Sequence, residues 1–367
     1  IKFSEMYFKI LVLVLALPFL LKANDAMKIA NTFDEQDLAE IPKFALEVED
    51  DGKSNKVAEE YKRTLESDGA NSKQSFAKLS LKLAKMHVLE EILRKKKAIS
   101  SLSDTVNGNS KDKCSKIVKV GEPIVHHHSG STYGSWMRDP LGLLGPGKIW
   151  YMNSYYGNKV LEFESMDHFK AGEISKTYIL PYYFDGTGAV VYGRYLYYNR
   201  ANSYYIVQYD LTTQKLTRQV RPHSSIKPRT YYYQWSSRNT MDLSVDESGL
   251  WVLYSYSSYS GKLCASQLDP LTMSTLRTYC GISSESMKTM GNAFVACGVV
   301  YSIDSYSSTT TTINYAYDTA RGSKINPKIK FINRFGYNSM VTYNPREKVL
   351  YAWDKNRQIT YPLEFED

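Results

Sequence analysis

The sequence predicts an all-β domain, a five-bladed β-propeller, preceded by an α-helical segment of coiled-coil character. Three observations predict it. First, the 367 residues include 31 Tyr, nearly all after Cys114 and set among Val, Ile, Thr and Ser, a composition that favours strands. Second, beyond Cys114 short alternating runs are separated by Gly, Asn, Asp and Ser turns, and no stretch keeps helical spacing for three turns. Third, one unit recurs: an apolar strand ending in Tyr or Trp, a polar turn, a second strand, then Asp or another polar turn.

The unit reads KIWYMNSYYGNKVLEFES, AVVYGRYLYYNRANSYYIVQYDLTT, GLWVLYSYSSYSGKLCASQLDPLT, GVVYSIDSYSSTTTTINYAYDTA and EKVLYAWDKNRQITYPLEF. The five copies begin roughly 50 residues apart, the length of a four-stranded propeller blade. Five repeats favour a closed ring over a large β-sandwich or jelly roll. In a ring each sheet buries both faces on its neighbours and leaves few edges.

The elements before the ring follow from composition. Lys2 and Lys9 precede an apolar run over residues 10–21, broken by Pro18 and followed by Lys22 and the small Ala23. The run is shorter than the roughly 20 residues a membrane helix needs, so residues 1–23 read as a secretory signal peptide cleaved near Ala23, with Met6 as initiator. A retained N-terminal anchor is the alternative; no other stretch is apolar enough to span a bilayer. Residues 24–56 are polar and weakly patterned, a flexible segment. Residues 57–99 read as helix: Phe76, Leu79, Leu83, Met86 and Leu93 keep a three-and-four spacing that Glu90 interrupts. About three heptads is the lower limit for a coiled coil, and the stripe predicts a homo-oligomer through residues 57–99, against a lone amphipathic helix. The basic residues 94–97 are an ordinary solvated helix end. Residues 100–113 read as a linker, and the propeller as residues 114–367.

Secretion permits disulfides, and four cysteines are present: Cys114, Cys264, Cys280 and Cys297. Three pairings are conceivable. Cys264 and Cys280 flank the turn signal Asp269-Pro270 between alternating strands, so they are placed to face each other across a hairpin. That arrangement leaves Cys114 with Cys297, a bridge that ties the first strand to a late blade.

Catalytic signatures are scarce. There is no Gly-x-Ser-x-Gly, His-Glu-x-x-His or phosphate-binding glycine loop. His126, His127 and His128 stand beside Ser129-Gly130 and read as a solvated loop rather than a metal site. Asp246-Glu247 reads as a solvated turn end. The formal charge of +8 comes without a nucleic-acid motif and with dispersed lysines, which directs the reading to acidic matrix sugars or cell-surface glycoproteins instead of nucleic acid.

Several longer segments carry a family likeness: Tyr133-Gly134-Ser135-Trp136-Met137-Arg138-Asp139-Pro140, and DLSVDESGLWV from Asp242 to Val252. Further on come NAFVACG from Asn292 to Gly298, Tyr317-Asp318-Thr319, Tyr343-Asn344-Pro345 and LYAWD from Leu350 to Asp354. Together, in order over about 250 residues, they resemble the olfactomedin-domain family. The resemblance implies a five-bladed propeller and a Cys114–Cys297 bridge, and it leaves Cys264 and Cys280 outside the shared pattern. It also implies a buried calcium ion in the central channel, sometimes with sodium beside it. Carried over by position, calcium would take the side chains of Asp242 and Asn292 and the carbonyls of Ala293 and Val341; the Leu243 carbonyl would face sodium. Mixed oxygen ligands suit calcium.

One position departs from that pattern. Thr342 stands where the family has a second carboxylate, which lowers the ligand charge that tunes affinity. Three outcomes follow: weaker calcium binding, substitution by another carboxylate such as Asp304, or a site that is empty or holds sodium. The reading without metal is a hydrogen-bonded polar core around Asp242 and Asn292. The expected function is a secreted, non-enzymatic adhesion, matrix or signalling-modulator protein whose propeller meets an extracellular protein or glycoconjugate. A propeller-based glycan hydrolase and a signal-anchored form of the same module are the alternatives.

Overall fold

β-Branched and aromatic residues alternating with polar ones form 23 strands over the residues that the computed structural model describes, 114–366. The signal peptide, flexible segment, helical stem and linker expected over residues 1–113 lie outside the described residues. The strands β1 (Ile117–Val120) and β2 (Ile124–His128) come first, and the strands of five blades and of one two-stranded sheet follow.

Blade one runs β3 (Gly134–Met137), β4 (Ile149–Asn153), β5 (Tyr156–Phe163) and β6 (Lys176–Asp185), with a one-and-a-half-turn helix α1 (Met166–Ala171) before its last strand. Blade two holds β7 (Val190–Tyr192), β8 (Tyr195–Asn199), β9 (Ile206–Asp210) and β10 (Lys215–Val220). Blade three holds β11 (Met241–Asp246), β12 (Gly249–Tyr254), β13 (Cys264–Leu268) and β14 (Thr275–Cys280). In blade four, β15 (Asn292–Ala296) and β16 (Val299–Ile303) precede a detour strand, β17 (Thr310–Ile313). Then come β18 (Tyr315–Asp318), β19 (Ser323–Ile325) and β20 (Ile329–Ile332), which pairs back onto β17. Blade five is β21 (Asn338–Asn344), β22 (Val349–Asp354) and β23 (Arg357–Phe365). Its outer strand comes from the other end of the domain, since β1 pairs antiparallel with β23 through Ile117 and Phe365. The five-unit count and the closed ring are thus borne out, each recurring unit lying within one blade.

The blades adhere through apolar layers. Five buried clusters lie one at each junction: Phe294 with Tyr361 between blades four and five, Trp150 with Tyr198 between one and two, Tyr197 with Tyr254 between two and three, Trp251 with Val295 between three and four, and Trp136 with Trp353 between five and one. Trp136 donates its indole N–H to the Ala352 carbonyl at 2.8 Å. Gly134 is required beside it, because a Cβ there would come within 2.5 Å of the Trp353 ring. Polar punctuation repeats with the blades. Asp210, Asp269 and Asp318 each accept backbone N–H groups two and three residues ahead, as Asn344 does in blade five. This is the turn that an Asx side chain builds on its own backbone.

Both disulfides form. Cys264 and Cys280 are direct register partners on β13 and β14, with Cα atoms 4.1 Å apart, which is the hairpin geometry expected of them. Cys114–Cys297 joins the start of the domain to the turn after β15, 183 residues away.

Two expectations are corrected. The histidine triplet is a strand, β2, paired with β23: His126 shares a 2.7 Å hydrogen bond with the Thr360 hydroxyl and packs on Trp136, while His127 packs on Phe169. Asp246-Glu247 is not a solvated turn end. Asp246 is 1% exposed and accepts from the Trp251 indole and the Gly298 amide. Glu247 accepts from the Cys297 amide and the Tyr343 hydroxyl. This Glu247 carboxylate also clusters with the sulfurs of Cys114 and Cys297, which, bonded to each other, offer no thiolate to a metal.

Chain-entropy arithmetic ranks the two bridges by loop length. Replacing Cys114 and Cys297 by Ser should cost about 5 kcal/mol, and replacing Cys264 and Cys280 about 3 kcal/mol. Denaturant unfolding of the two double variants against the parent checks the order; equal losses would remove the ring-closing role of the long bridge.

Candidate metal centre in the propeller channel

The innermost strands of three blades bring the predicted ligands to the axis. Asp242 and Leu243 lie on β11, Asn292 and Ala293 on β15, and Val341 with Thr342 on β21; these three strands pack against one another. All six residues are buried. The Asn292 side-chain oxygen accepts from the Ala293 amide at 2.8 Å, which fixes its direction. The Val341 side chain belongs to the apolar layer between blades four and five, so only its backbone can serve a ligand.

Asp242 is the electrostatic centre. Burial pushes its carboxyl up to about 8, and the only group drawing it back is the nearby Tyr233 hydroxyl. No Lys, Arg or His offsets its charge among the described residues. A loop crosses directly over it: the Leu243 amide donates to the Gly188 carbonyl at 3.0 Å. A Cβ at residue 188 would lie 2.2 Å from the Asp242 Oδ1, so glycine is what allows this approach. Thr187 holds the same loop, accepting from Ser135 at its carbonyl and donating to the Ser339 carbonyl and the Asn239 side chain.

Buried polar atoms without a hydrogen-bond partner among the described residues include Tyr233 Oη and Asn239 Nδ2 in the loop before β11, and Asn338 Oδ1 and Thr342 Oγ1 on β21. Tyr233 faces both Asp242 and the Ala293 backbone, and burial with the adjacent carboxylate raises its pKa well above the usual phenol value. A phenol oxygen beside an uncompensated buried carboxylate is an arrangement that a bound cation completes, since each would otherwise bear its desolvation cost. The donor set fits a cation held by oxygen, with a formal charge of one negative because Thr342 contributes only a hydroxyl.

Asp304 does not replace the missing carboxylate. It accepts from Thr312 and Asn314 and lines a separate groove of about 710 Å³ with Glu285, Lys324 and Tyr315. Sequence reasoning did not single out Gly188, Tyr233 or Asn239. Tyr233 sits in the aromatic run 231–235 of the long loop before β11, and only the fold turns that residue inward.

A family model for the olfactomedin-like domain matches residues 109–367. Myocilin from Bos taurus is 32% identical over 308 residues, 81% of this chain and 62% of that protein. Myocilin from Macaca fascicularis is 35% identical over 257 residues, 68% of this chain and 52% of that protein. Myocilin from Canis lupus familiaris is 37% identical over 261 residues, 68% and 53%. The chain therefore spans about half to three-fifths of the length of the curated relatives it matches. A crystal structure of Myxococcus xanthus glutaminyl cyclase aligns with a TM-score of 0.43 and 11% identity over 69% of this chain and 100% of that one; at that level the likeness carries no argument.

The raised Asp242 pKa sets a sign. In chelated, sodium-free buffer the folded state holds a proton that the unfolded state releases from about pH 4 upward. The stabilisation is complete below the unfolded value and is lost as pH rises through about 8. The melting temperature should therefore fall by roughly 5–10 °C between pH 5 and pH 8. Asp242→Asn should flatten that slope, and added calcium or sodium should restore the parent at pH 8 but not at pH 5. Differential scanning calorimetry across the pH series reads all three; a parent and variant with parallel slopes would remove Asp242 from the account.

Proposed function

The chain belongs to the olfactomedin-like family, and from that premise we propose that it is a secreted, non-enzymatic binding module, gathered into oligomers by residues 57–99. The observation that carries this reading is the doubly disulfide-bonded ring. Cys114–Cys297 and Cys264–Cys280 are bonds that form and persist outside the reducing cytosol, and the ring they brace is rigid. No helix among the described residues is long and apolar enough to cross a membrane. A rigid ring presents its loops to a partner with little ordering cost on binding, and clustering through a stem raises modest single-site affinity by multivalency.

The channel residues serve the scaffold in this reading. Asp242, Asn292 and the carbonyls of Ala293, Val341 and Leu243 would hold calcium or sodium. A bound cation supplies the positive charge that Asp242 lacks and links the inner strands of blades three, four and five. With one carboxylate in the set, calcium is held weakly and sodium competes.

A glycan-hydrolase reading has one supporting observation, the groove that carries both Glu285 and Asp304, since glycosidases use two carboxylates across a cleft. Against it, Asp304 already accepts from Thr312 and Asn314.

Expression of the full chain in secretory cells tests the proposal. The medium should contain protein beginning near residue 24 by N-terminal sequencing. Analytical ultracentrifugation should give a dimer or larger, and deletion of residues 57–99 should return a monomer. Applied to cells, the protein should label the surface without turning over glycan libraries. Retention of residues 6–22 in a membrane fraction would favour the anchored form. Turnover abolished by Glu285→Gln would favour the hydrolase.

A further inference from the structure

Blade two and the loop behind it hold the surplus positive charge of the propeller. Residues 186–241 carry eight Lys and Arg against one acid, Asp210, while the rest of residues 114–367 carry nineteen of each sign. Local pairing neutralises part of this surplus. Arg194 meets the buried Asp210, and Arg238 meets Asp185 at 3.0 Å, with Arg229 reaching the same carboxylate at 4.0 Å. The other five, Arg200, Lys215, Arg218, Arg221 and Lys227, form no ion pair among the described residues.

These cations are held in place. Arg200 lies over the Tyr182 ring at 3.8 Å and donates to the Gln219 side chain at 2.8 Å. Arg221 lies over the Tyr204 ring, also at 3.8 Å. Arg229 donates to the Asn202 side chain at 2.7 Å. Three guanidinium groups therefore surround one turn, residues 200–205, between β8 and β9, and exposed Lys227 belongs to the neighbouring loop. From that turn the charge continues down the outermost strand of the blade, where Arg218 and Lys215 are exposed. At about 3.3 Å per residue, Lys215 to Arg221 spans roughly 20 Å, the reach of a chain rather than of a single anion.

We infer that this edge of blade two binds a sulfated polysaccharide. The inference rests on the extracellular reading above. Arg200 and Arg221, stacked on tyrosine and tied to the Gln219 side chain and to the Ser224 and Ile226 carbonyls, are fixed before any ligand arrives, and immobilising charge beforehand lowers the cost of binding a chain of sulfate groups. The compartment decides among polyanions. Two disulfides place the chain outside the cytosol, away from nucleic acid and from the anionic cytoplasmic leaflet. Sulfated sugar chains are the repeating polyanion that remains.

The experiment measures binding of the full chain to immobilised heparin over a salt series. The patch variant is Lys215→Ala/Arg218→Ala/Lys227→Ala, which leaves the turn-holding Arg200 and Arg221 in place. The control is Lys170→Ala/Lys324→Ala/Lys330→Ala, which removes the same charge from blade one and from the strands around blade four. The patch variant should bind at least ~10-fold more weakly, with the slope of log affinity against log salt reduced by about 2 to 3. The control should stay within about twofold of the parent, and desulfated heparin should bind poorly. Should the patch variant melt lower than the parent, the single change Lys227→Gln at its exposed loop site should still weaken binding by about two- to threefold. Equal losses in patch and control, or equal binding of desulfated heparin, would overturn the inference. So would tighter binding to phosphatidylserine vesicles or to single-stranded DNA at the same salt. Labelling of heparinase-treated cells by a chain that ignores heparin would sink this inference while leaving the extracellular binding role standing; failure to label any cell would sink that role as well.

Discussion

Ring closure governs the rest of this domain. A blade sheet that is apolar on both faces must have a neighbour on each side, and in a row of five the two end sheets would each lack one. The chain meets that demand by sending β1 to the outer edge of blade five, where Ile117 pairs with Phe365. The Tyr301 hydroxyl accepts from the Ile117 amide, and Cys114–Cys297 fixes the same strand to blade four. Glu247 lies under this join and ties it to blade three, accepting from Cys297 and Tyr343. The buried layer between Trp136 and Trp353 exists only when the ring is shut. Closing contacts between residues so far apart in sequence cost loop entropy that local turns do not, and the covalent bridge reduces that cost in the unfolded chain.

Closure also creates the polar channel. Strands that converge on an axis bury Asp242, Asn292 and Thr342, so a carboxylate solvated in the open chain becomes a buried group without a counter-charge. The loop through Thr187 and Gly188 covers it, and only a residue without a Cβ can lie that close. Positive charge is sorted the other way. The net surplus of lysines and arginines over acids lies on blade two and the loop behind it, where water and salt screen them, and none offsets Asp242. One ring thus separates a buried carboxyl without a counter-charge from a cationic margin, and the proposed cation in the channel and polyanion at the edge answer these two features.

Legibility in the sequence tracked the distance over which an interaction acts. The strand units were readable because alternation and Asx turns are local, and the Cys264–Cys280 hairpin was readable because its turn signal lies between the two residues. The His126–His128 triplet was not, because its pairing partner, β23, is more than 200 residues away. Asp246 and Glu247 looked like solvated turn residues for the same reason: Gly298, Cys297 and Tyr343, which bury them, belong to other blades. Asp304 was an open candidate for the channel until its hydrogen bonds to Thr312 and Asn314 placed it elsewhere.

By itself the sequence determined the class of the domain, its five units, the residue types available at the axis and the loss of a carboxylate at Thr342. The class and the five units are properties of composition and of neighbours within a few residues; the axial residue types and the Thr342 position are what the family resemblance implied. Tertiary structure alone decided that Tyr233 turns inward beside Asp242, that Gly188 is the residue allowing the loop to cross it, and that five cations of blade two stand without carboxylates. The reason is that burial and charge compensation depend on which strands meet around the axis, and strands of different blades meet only once the first has paired with the last.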